Sequence, residues 1–374
     1  MGLNNAEIKR VNRNNILRYL LKSEIVSKNR IAYDLELTAP TVTSALKDLQ
    51  KLGLVKEEGA MDSIGGRKSM GYSCDKDAKY AVGVSIKKNY VNLAVINLAA
   101  DAVCKRHEDV QIQGDESSYQ WLQEFIASAI DETGISDEKI LGVGYALPAT
   151  VDQSGRKIYG LHEEMDLPWN FYEIAQEWFS YPTVLQRDAV SAGAAVAKAL
   201  CIENTAIYLD LSSSVGGAVL RKGEPVKLGI NCRKGEFGHL TIVPDGKPCF
   251  CGRRGCVDAY CSTDNLSVLA DGSLKLFFER MENGDARCGS VWEEYLDYLA
   301  LTIHNLMNCF DEKLILGGEL AEYLEPYMKT IKDRVVTYDH YLKEADYLSP
   351  GSLGFDAASI GAAGYFIDKY ITKI

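Results

Sequence analysis

Residues 235–262 read GEFGHLTIVPDGKPCFCGRRGCVDAYCS. The stretch holds His239, Cys249, Cys251 and Cys256. Nine residues separate the imidazole from the first thiol, one separates the first two thiols, and four separate the second from the third. Gly252 and Gly255 permit positive φ, so the three sulfurs of this Cys-x-Cys-Gly-x-x-Gly-Cys turn can converge on one point. One imidazole and three thiolates make a closed tetrahedral zinc shell with no position left for a metal-bound water, so the motif reads as structural rather than catalytic zinc. The alternative is a loop of unrelated free thiols, each acting as a small apolar residue; the spacing, the two glycines and the upstream His argue against it. Glu236 and Asp258 flank the metal motif. They are either the acids of a polar ligand site or solvated surface groups, and spacing alone leaves both readings open.

The chain has 374 residues, enough for two or three domains. At 47% hydrophobic and 25% charged it has the composition of a globular protein. No run approaches 18 uninterrupted apolar residues and the first residues lack the apolar core of a signal peptide, so no membrane partner is expected. Ten cysteines in such a chain point to a reducing, cytoplasmic setting and to metal or free thiols rather than disulfides. The net charge of −11 is unevenly spread. Residues 1–76 carry 13 Lys/Arg against 9 Asp/Glu, and the remainder carries 28 against 43. A basic front on an acidic body places any polyanion contact at the front.

The front reads as three short helices and a two-stranded wing. Ile8, Val11, Ile16, Leu17, Leu20 and Leu21 stripe a helix over residues 5–22, with Asn4 and Glu7 spaced as a capping box. Ser27 opens a second helix over 28–35. Thr38 caps a third, which carries Pro40 in its first turn, an apolar stripe of Val42, Ala45, Leu46, Leu49 and Leu52, and Gly53 as its stop. Strands over 54–58 and 68–74 flank a Gly-containing tip. This is a winged helix-turn-helix. Thr38, Thr41, Thr43, Ser44 and Lys47 lie at the N-terminal end and outer face of the third helix, where small hydroxyls reach base edges and Lys meets phosphate. Arg67 and Lys68 at the wing tip are candidates for a minor groove. A helical domain that binds protein is the competing reading, and the helix order, turn length and basic wing favour DNA.

After a junction at residues 75–77 the pattern becomes α/β. Strands are expected at 80–86, 90–97, 102–110, 140–146, 183–186, 205–211, 215–220 and 314–316. Helices are expected at 117–133, 189–200, 290–309 and 357–370. Gly361, Ala362, Ala363 and Gly364 suit the last helix to close packing. The whole is an α/β protein of two lobes with a cleft between them, each lobe opening with strands as a duplicated fold would. The first lobe is expected to hold 77–187 and the helix 357–370, the second 188–356 with the zinc loop.

Together these pieces resemble the ROK family of repressors and sugar kinases over nearly the whole chain. The front is similar to the family's repressor branch at KRVNRNNIL, LTAPTVTSALKDLQKLGLV and GGRK. The body is similar at LPATVD, LPWN, RDAVSAG, GEFGH, CFCGRRGC and LILGGEL, and the zinc loop is the most specific of these. The resemblance implies a two-lobed, actin-like and hexokinase-like ATPase fold that binds a sugar in its cleft, with zinc on His239, Cys249, Cys251 and Cys256. It puts Asp188 where family kinases have their catalytic base. It puts Glu236 and His239 at the sugar-contacting Glu-x-Gly-His positions, with one ring nitrogen of His239 on zinc and the other free for a sugar oxygen. Asp258 stands in place of a sugar-contacting Glu, one methylene shorter. Arg187 stands in place of an Asn, where it either pairs with a neighbouring carboxylate or recognises an anionic sugar derivative.

The kinase machinery departs from the family pattern. Where kinases have Asp-Gly-Gly-Thr-Lys after the first strand, this chain has Ser85-Ile86-Lys87-Lys88-Asn89. Where they have Gly-Thr-Gly, it has Ser212-Ser213-Ser214. Phosphoryl transfer depends on positioning phosphate and metal charge, so the expectation is no catalysis. The reading is a sugar-responsive transcriptional repressor that binds operator DNA as a homodimer or tetramer. An active sugar kinase, and a regulator controlled by a protein partner, are the alternatives. Chelation of zinc is expected to weaken the sugar response before it unfolds the front.

Overall fold

A computed structural model describes residues 4–61, 69–161, 166–226 and 229–374. The front opens with α1 (Asn5–Leu21). Asn4 Oδ1 accepts from the Glu7 N–H and the Glu7 carboxylate accepts from the Asn4 N–H, each at 2.9 Å, so the capping box forms as the sequence suggests. β1 (Val26–Ser27) and α2 (Lys28–Asp34) follow, the helix capped by Ser27. α3 (Ala39–Lys51) begins at Thr38, whose hydroxyl accepts from the Thr41 N–H. Gly53, at φ +70°, ends it. β2 (Val55–Met61) pairs antiparallel with β3 (Ser69–Cys74), and β1 pairs with the other edge of β3. The wing sheet therefore has three strands where the sequence reading gives two. A two-residue strand has no alternation to detect, and only the fold brings it to its partner.

A short 3-10 turn, Lys76–Ala78, leads into the body. The first large sheet runs β4 (Tyr80–Ile86), β5 (Val91–Asn97), β6 (Ala102–Glu108), then, beyond α4 (Glu116–Thr133), β7 (Ile140–Leu147). A small antiparallel hairpin, β8 (Ala149–Val151) with β9 (Ile158–Leu161), and α5 (Phe171–Glu177) precede β10 (Thr183–Arg187). The sheet order is β10-β7-β4-β5-β6, with β4, β5 and β6 antiparallel and β7 and β10 parallel to β4.

α6 (Asp188–Ala199) crosses to the second sheet: β11 (Thr205–Leu211), β12 (Val215–Arg221), β13 (Glu224–Pro225). The metal stretch and four helices follow: α7 (Asp258–Cys261), α8 (Asp264–Ser267), α9 (Leu274–Glu282) and α10 (Ala286–Phe310). Then come β14 (Lys313–Gly317), α11 (Ala321–Leu324), α12 (Met328–Tyr338), β15 (Leu348–Pro350) and α13 (Ala357–Lys373). The order is β13-β12-β11-β14-β15, again an antiparallel meander with two strands added in parallel. The two sheets thus repeat one topology although their sequences do not.

Several elements exceed the sequence reading. α10 starts four residues early because the Asp285 carboxylate accepts from the N–H groups of Arg287 and Cys288. The hairpin β8–β9, the helices α5, α9 and α12 and the edge strand β15 are absent from that reading; most are short. α6 and α13 pack against each other and against strands of the two sheets. Gly361 makes this close approach possible, since a Cβ there would run into the Ser191 carbonyl of α6. One apolar cluster joins Ile16, Leu17 and Leu20 of α1 and Leu46 and Leu49 of α3 to Ile360, Phe366, Ile367 and Ile371 of α13. The front and the first lobe share a core. No helix among the described residues is long and apolar enough to cross a membrane.

Candidate ligand cleft, metal cluster and nucleic-acid face

The metal stretch folds as a knot of tight turns. The Cys249 N–H donates to the Arg253 carbonyl at 2.8 Å, and the Gly252 N–H donates to the Cys249 carbonyl at 3.0 Å. Gly252 and Gly255 sit at φ +79° and +77°, and a Cβ on Gly255 would strike the Val243 carbonyl. The ligand atoms of His239, Cys249, Cys251 and Cys256 all lie within 4.8 Å of one another. Cys251 and Cys256 sulfurs are 3.7 Å apart, and Cys249 Sγ is 3.8 Å from His239 Nδ1. A tetrahedral centre with metal–sulfur bonds of about 2.3 Å has sulfur–sulfur edges of roughly 3.8 Å, so the donor set fits a metal of that size. Burial pushes the Cys249 thiol up to about 12. A metal cation is what would favour thiolates in such a place. Nδ1 is the His239 nitrogen that faces the cysteines, which leaves Nε2 available to a ligand.

Glu236 and His239 are joined by a 3-10 turn (Phe237–His239) in which the His239 N–H donates to the Glu236 carbonyl at 3.2 Å. Arg187 reaches Glu236 from the end of β10. Its Nη1 donates to Glu236 Oε1 at 2.6 Å, and its Nη2 donates to the carbonyls of Gly217 at 2.9 Å and Lys234 at 2.5 Å. Of the two roles the sequence leaves open for Arg187, the carboxylate pair is the one present in this geometry. Asp258 is buried on α7, and its Oδ1 accepts from the Val215 N–H at 2.6 Å. Burial pushes its carboxyl up to about 7, and the Val215 N–H opposes that shift. Its shorter side chain is directed to the backbone.

Asp188 begins α6. Its Oδ1 accepts from the Ala189 N–H at 2.7 Å, and its Oδ2 is paired with the Lys87 ammonium. Lys87 comes from the β4–β5 turn, which the Lys87 N–H closes on the Tyr90 carbonyl at 2.9 Å. Two further buried acids act on this lysine. Asp210, on β11, accepts from Ser212 Oγ at 2.5 Å. Glu319, after β14, accepts from Tyr90 Oη at 2.8 Å and from Thr263 Oγ1 at 2.9 Å. Burial alone would push the Lys87 ammonium down, but Asp188, Asp210 and Glu319 outweigh it and hold it up. Burial lifts Asp210 to about 6 against the pull of Lys87. Beside the turn lies a cavity of ≈ 420 Å³ walled by Tyr90, His107 and Phe355, with Thr263 and Glu319 at its lining.

On the front, Thr38, Ser44 and Lys47 are exposed, and Thr41 and Thr43 are half-buried on the outer face of α3. Thr38 and Thr41 are bonded through their hydroxyls at 2.8 Å. Arg67 and Lys68 lie outside the described residues. The far side of α1 meets α13: Asn14 Nδ2 donates to the Thr372 carbonyl at 3.2 Å, and Arg18 pairs with Asp368 at 3.4 Å.

The ROK family profile matches residues 81–369. The chain belongs to the ROK family. Among curated proteins it is 25% identical to the xylose repressor of Bacillus subtilis (strain 168), covering 98% of this chain and 97% of that one. It is 22% identical to the DNA-binding transcriptional dual regulator NagC of Escherichia coli (strain K12), covering 84% and 82%. The structure of a ROK family transcriptional regulator, a homologue of the E. coli MLC protein, aligns over 98% of this chain and 97% of that chain with a TM-score of 0.75 at 17% identity. The ROK family glucokinase of Streptomyces griseus, solved with glucose and AMPPNP, covers 76% of this chain and 98% of its own at TM-score 0.63 and 20% identity. The α/β reading, a helical front with a small sheet followed by two mixed sheets of ROK, hexokinase-like type, is the fold observed. Within this ROK fold, Lys87, Asp210 and Glu319 escaped the sequence reading as site residues. Asp210 is a charge inside an otherwise apolar strand, Lys87 departs from a glycine loop at the end of another, and Glu319 follows the Gly317-Gly318 turn after β14.

Proposed function

We propose that this ROK protein is a sugar-responsive transcriptional repressor acting in the cytoplasm. Thr38, Thr41, Thr43, Ser44 and Lys47 of α3 face operator DNA, with Arg67 and Lys68 of the wing beside them. A sugar or sugar derivative binds between the lobes. Glu236 and His239 Nε2 hold its hydroxyls, Asp188 accepts from one of them, and Arg187 and Asp258 fix the surrounding loops. Zinc on His239, Cys249, Cys251 and Cys256 orients the imidazole. The observation that carries this reading is the apolar cluster shared by α1, α3 and α13. It gives a change of lobe arrangement a solid path to the recognition helix, provided the ligand prefers one arrangement. A homodimer or tetramer supplies two recognition helices about one DNA turn apart.

Phosphoryl transfer is not part of the proposal, because the Lys87 side chain occupies Asp188 from the loop where a kinase holds phosphate. The test is a mobility-shift assay on DNA upstream of the chain's own gene across a sugar panel, run beside an ATP-consumption assay. A specific shift altered by one sugar, without nucleotide turnover, is the expected result. Turnover with any hexose or pentose overturns it, as does retardation that no sugar changes. Metal analysis is expected to give one zinc per chain, lost in Cys251→Ser.

A further inference from the structure

The four metal ligands come from two pieces of chain. His239 ends the 3-10 turn Phe237–His239, and the three cysteines lie ten to seventeen positions later. Arg253, between Cys251 and Cys256, holds both pieces at once. Its Nη2 donates to the His239 carbonyl at 2.9 Å, on the imidazole side. Its own carbonyl accepts from the Cys249 N–H at 2.8 Å, which closes the cysteine turn around Cys251. The next residue does neither: Arg254 Nε donates to the Asp245 carbonyl at 3.3 Å, away from the ligands. Both arginines are exposed. Just beyond the ligands the two pieces are also joined by main chain, through Val257 N–H to the Leu240 carbonyl and Ile242 N–H to the Gly255 carbonyl, each at 2.8 Å. The stretch therefore keeps its fold without the Arg253 side chain, and what that side chain adds falls on the ligand set.

Charge gives the guanidinium a second part. A divalent ion held by three thiolates and a neutral imidazole carries a net negative charge. Cys249 and Cys256 are buried, and Cys251 is the half-buried member of the set. The guanidinium sits on the same turn, two residues beyond Cys251. We propose that Arg253 is a positioning residue of the metal centre: it pins the main chain of His239 against the cysteine turn and offsets the negative charge of the metal–thiolate group, so the ion leaves slowly and the imidazole keeps its Nε2 directed away from the cysteines. The proposal rests on the zinc reading above. Groups that hold a metal ligand from behind are worth roughly 10- to 100-fold in metal affinity.

The test compares the full chain as wild type, Arg253→Ala, Arg253→Lys and Arg254→Ala. Two properties are read: the rate at which zinc passes to a coloured chelator, and the thiolate-to-metal charge-transfer band of the Co2+-substituted chain. Arg253→Ala is expected to release zinc roughly 10- to 100-fold faster and to move the band to longer wavelength, because the thiolates lose a neighbouring cation. Arg253→Lys keeps the charge without the fork and is expected to restore the band more fully than the release rate. Arg254→Ala removes the same charge one residue away and is expected to stay near wild type in both. Arg253→Gln serves if the alanine variant does not fold, with the band moved in the same direction. Wild-type release with an unmoved band in Arg253→Ala overturns the proposal, and so do equal effects of Arg253→Ala and Arg254→Ala, which would assign them to general surface charge. A wild-type chain that takes up neither zinc nor Co2+ overturns the metal reading itself, and the proposal with it.

Discussion

Arg187 and Lys87 are both cations held out of water beside acids that would face a ligand, but they are satisfied differently. Arg187 forks between Glu236 and two backbone carbonyls, using the planar geometry that lysine lacks. Removing one partner of such a pair leaves the other buried and uncompensated. Arg187→Ala is therefore expected to lower unfolding stability by about 3 kcal/mol in urea titrations. Arg187→Ala combined with Glu236→Ala should cost clearly less than the sum of the single changes. Additive losses would mean that the two side chains do not interact in solution. Asp210 gives a pH test. Its carboxyl sits near 6 in the fold, against 3.8 ordinarily, because burial penalises its charge, while Lys87, Asp188, Glu319 and Tyr208 surround it. The unfolded chain releases this proton first, so the folded state binds more protons between those values and loses stability as pH rises through them. Asp210→Asn, which has no proton to lose, is expected to raise the melting temperature at pH 8, to raise it less at pH 5, and to change it little once the pH falls below the unfolded value of 3.8.

At the scale of elements, capping and close packing decide most of what can be checked. The Thr38 hydroxyl caps α3 and also bonds Thr41, so part of what it does is structural. Thr38→Ala is expected to cost about 1 kcal/mol in thermal or urea unfolding, with Thr38→Ser restoring most of it. A DNA defect that persists in Thr38→Ser would instead assign the methyl group to base contact. Gly361→Ala forces a methyl into the Ser191 carbonyl where α13 crosses α6 and is expected to cost about 3 kcal/mol. Helices such as α1 and α3 were readable from sequence because their caps and apolar stripes are local. β1 was not, because its two residues become a strand only once β3 lies beside them. The metal motif was readable because its four ligands are close in sequence. Lys87 was readable only as a departure from a glycine loop, since Asp188, Asp210 and Glu319 lie 101 to 232 positions away along the chain and only the two-sheet topology brings them to it.

For the whole molecule, the question is whether the front is a tethered module or part of the body. A tethered module would have its own closed core and melt on its own. Here Ile16, Leu17 and Leu20 of α1 belong to the same buried cluster as Ile367 and Ile371 of α13, and the Arg18–Asp368 and Asn14–Thr372 contacts lie along the same seam. The partly exposed Arg18–Asp368 pair contributes little on its own, so the apolar seam must carry the coupling. Ile371 is the residue to remove, because it is buried near the end of α13 and belongs to the cluster shared with α1. Ile371→Ala is expected to cost about 3 kcal/mol. In calorimetry the wild-type chain should unfold the front together with the first lobe in one transition, and the variant should release the front in a separate transition at lower temperature. A wild-type chain that already melts in two steps, with Ile371→Ala moving only the upper one, would show that the seam does not couple the front to the body.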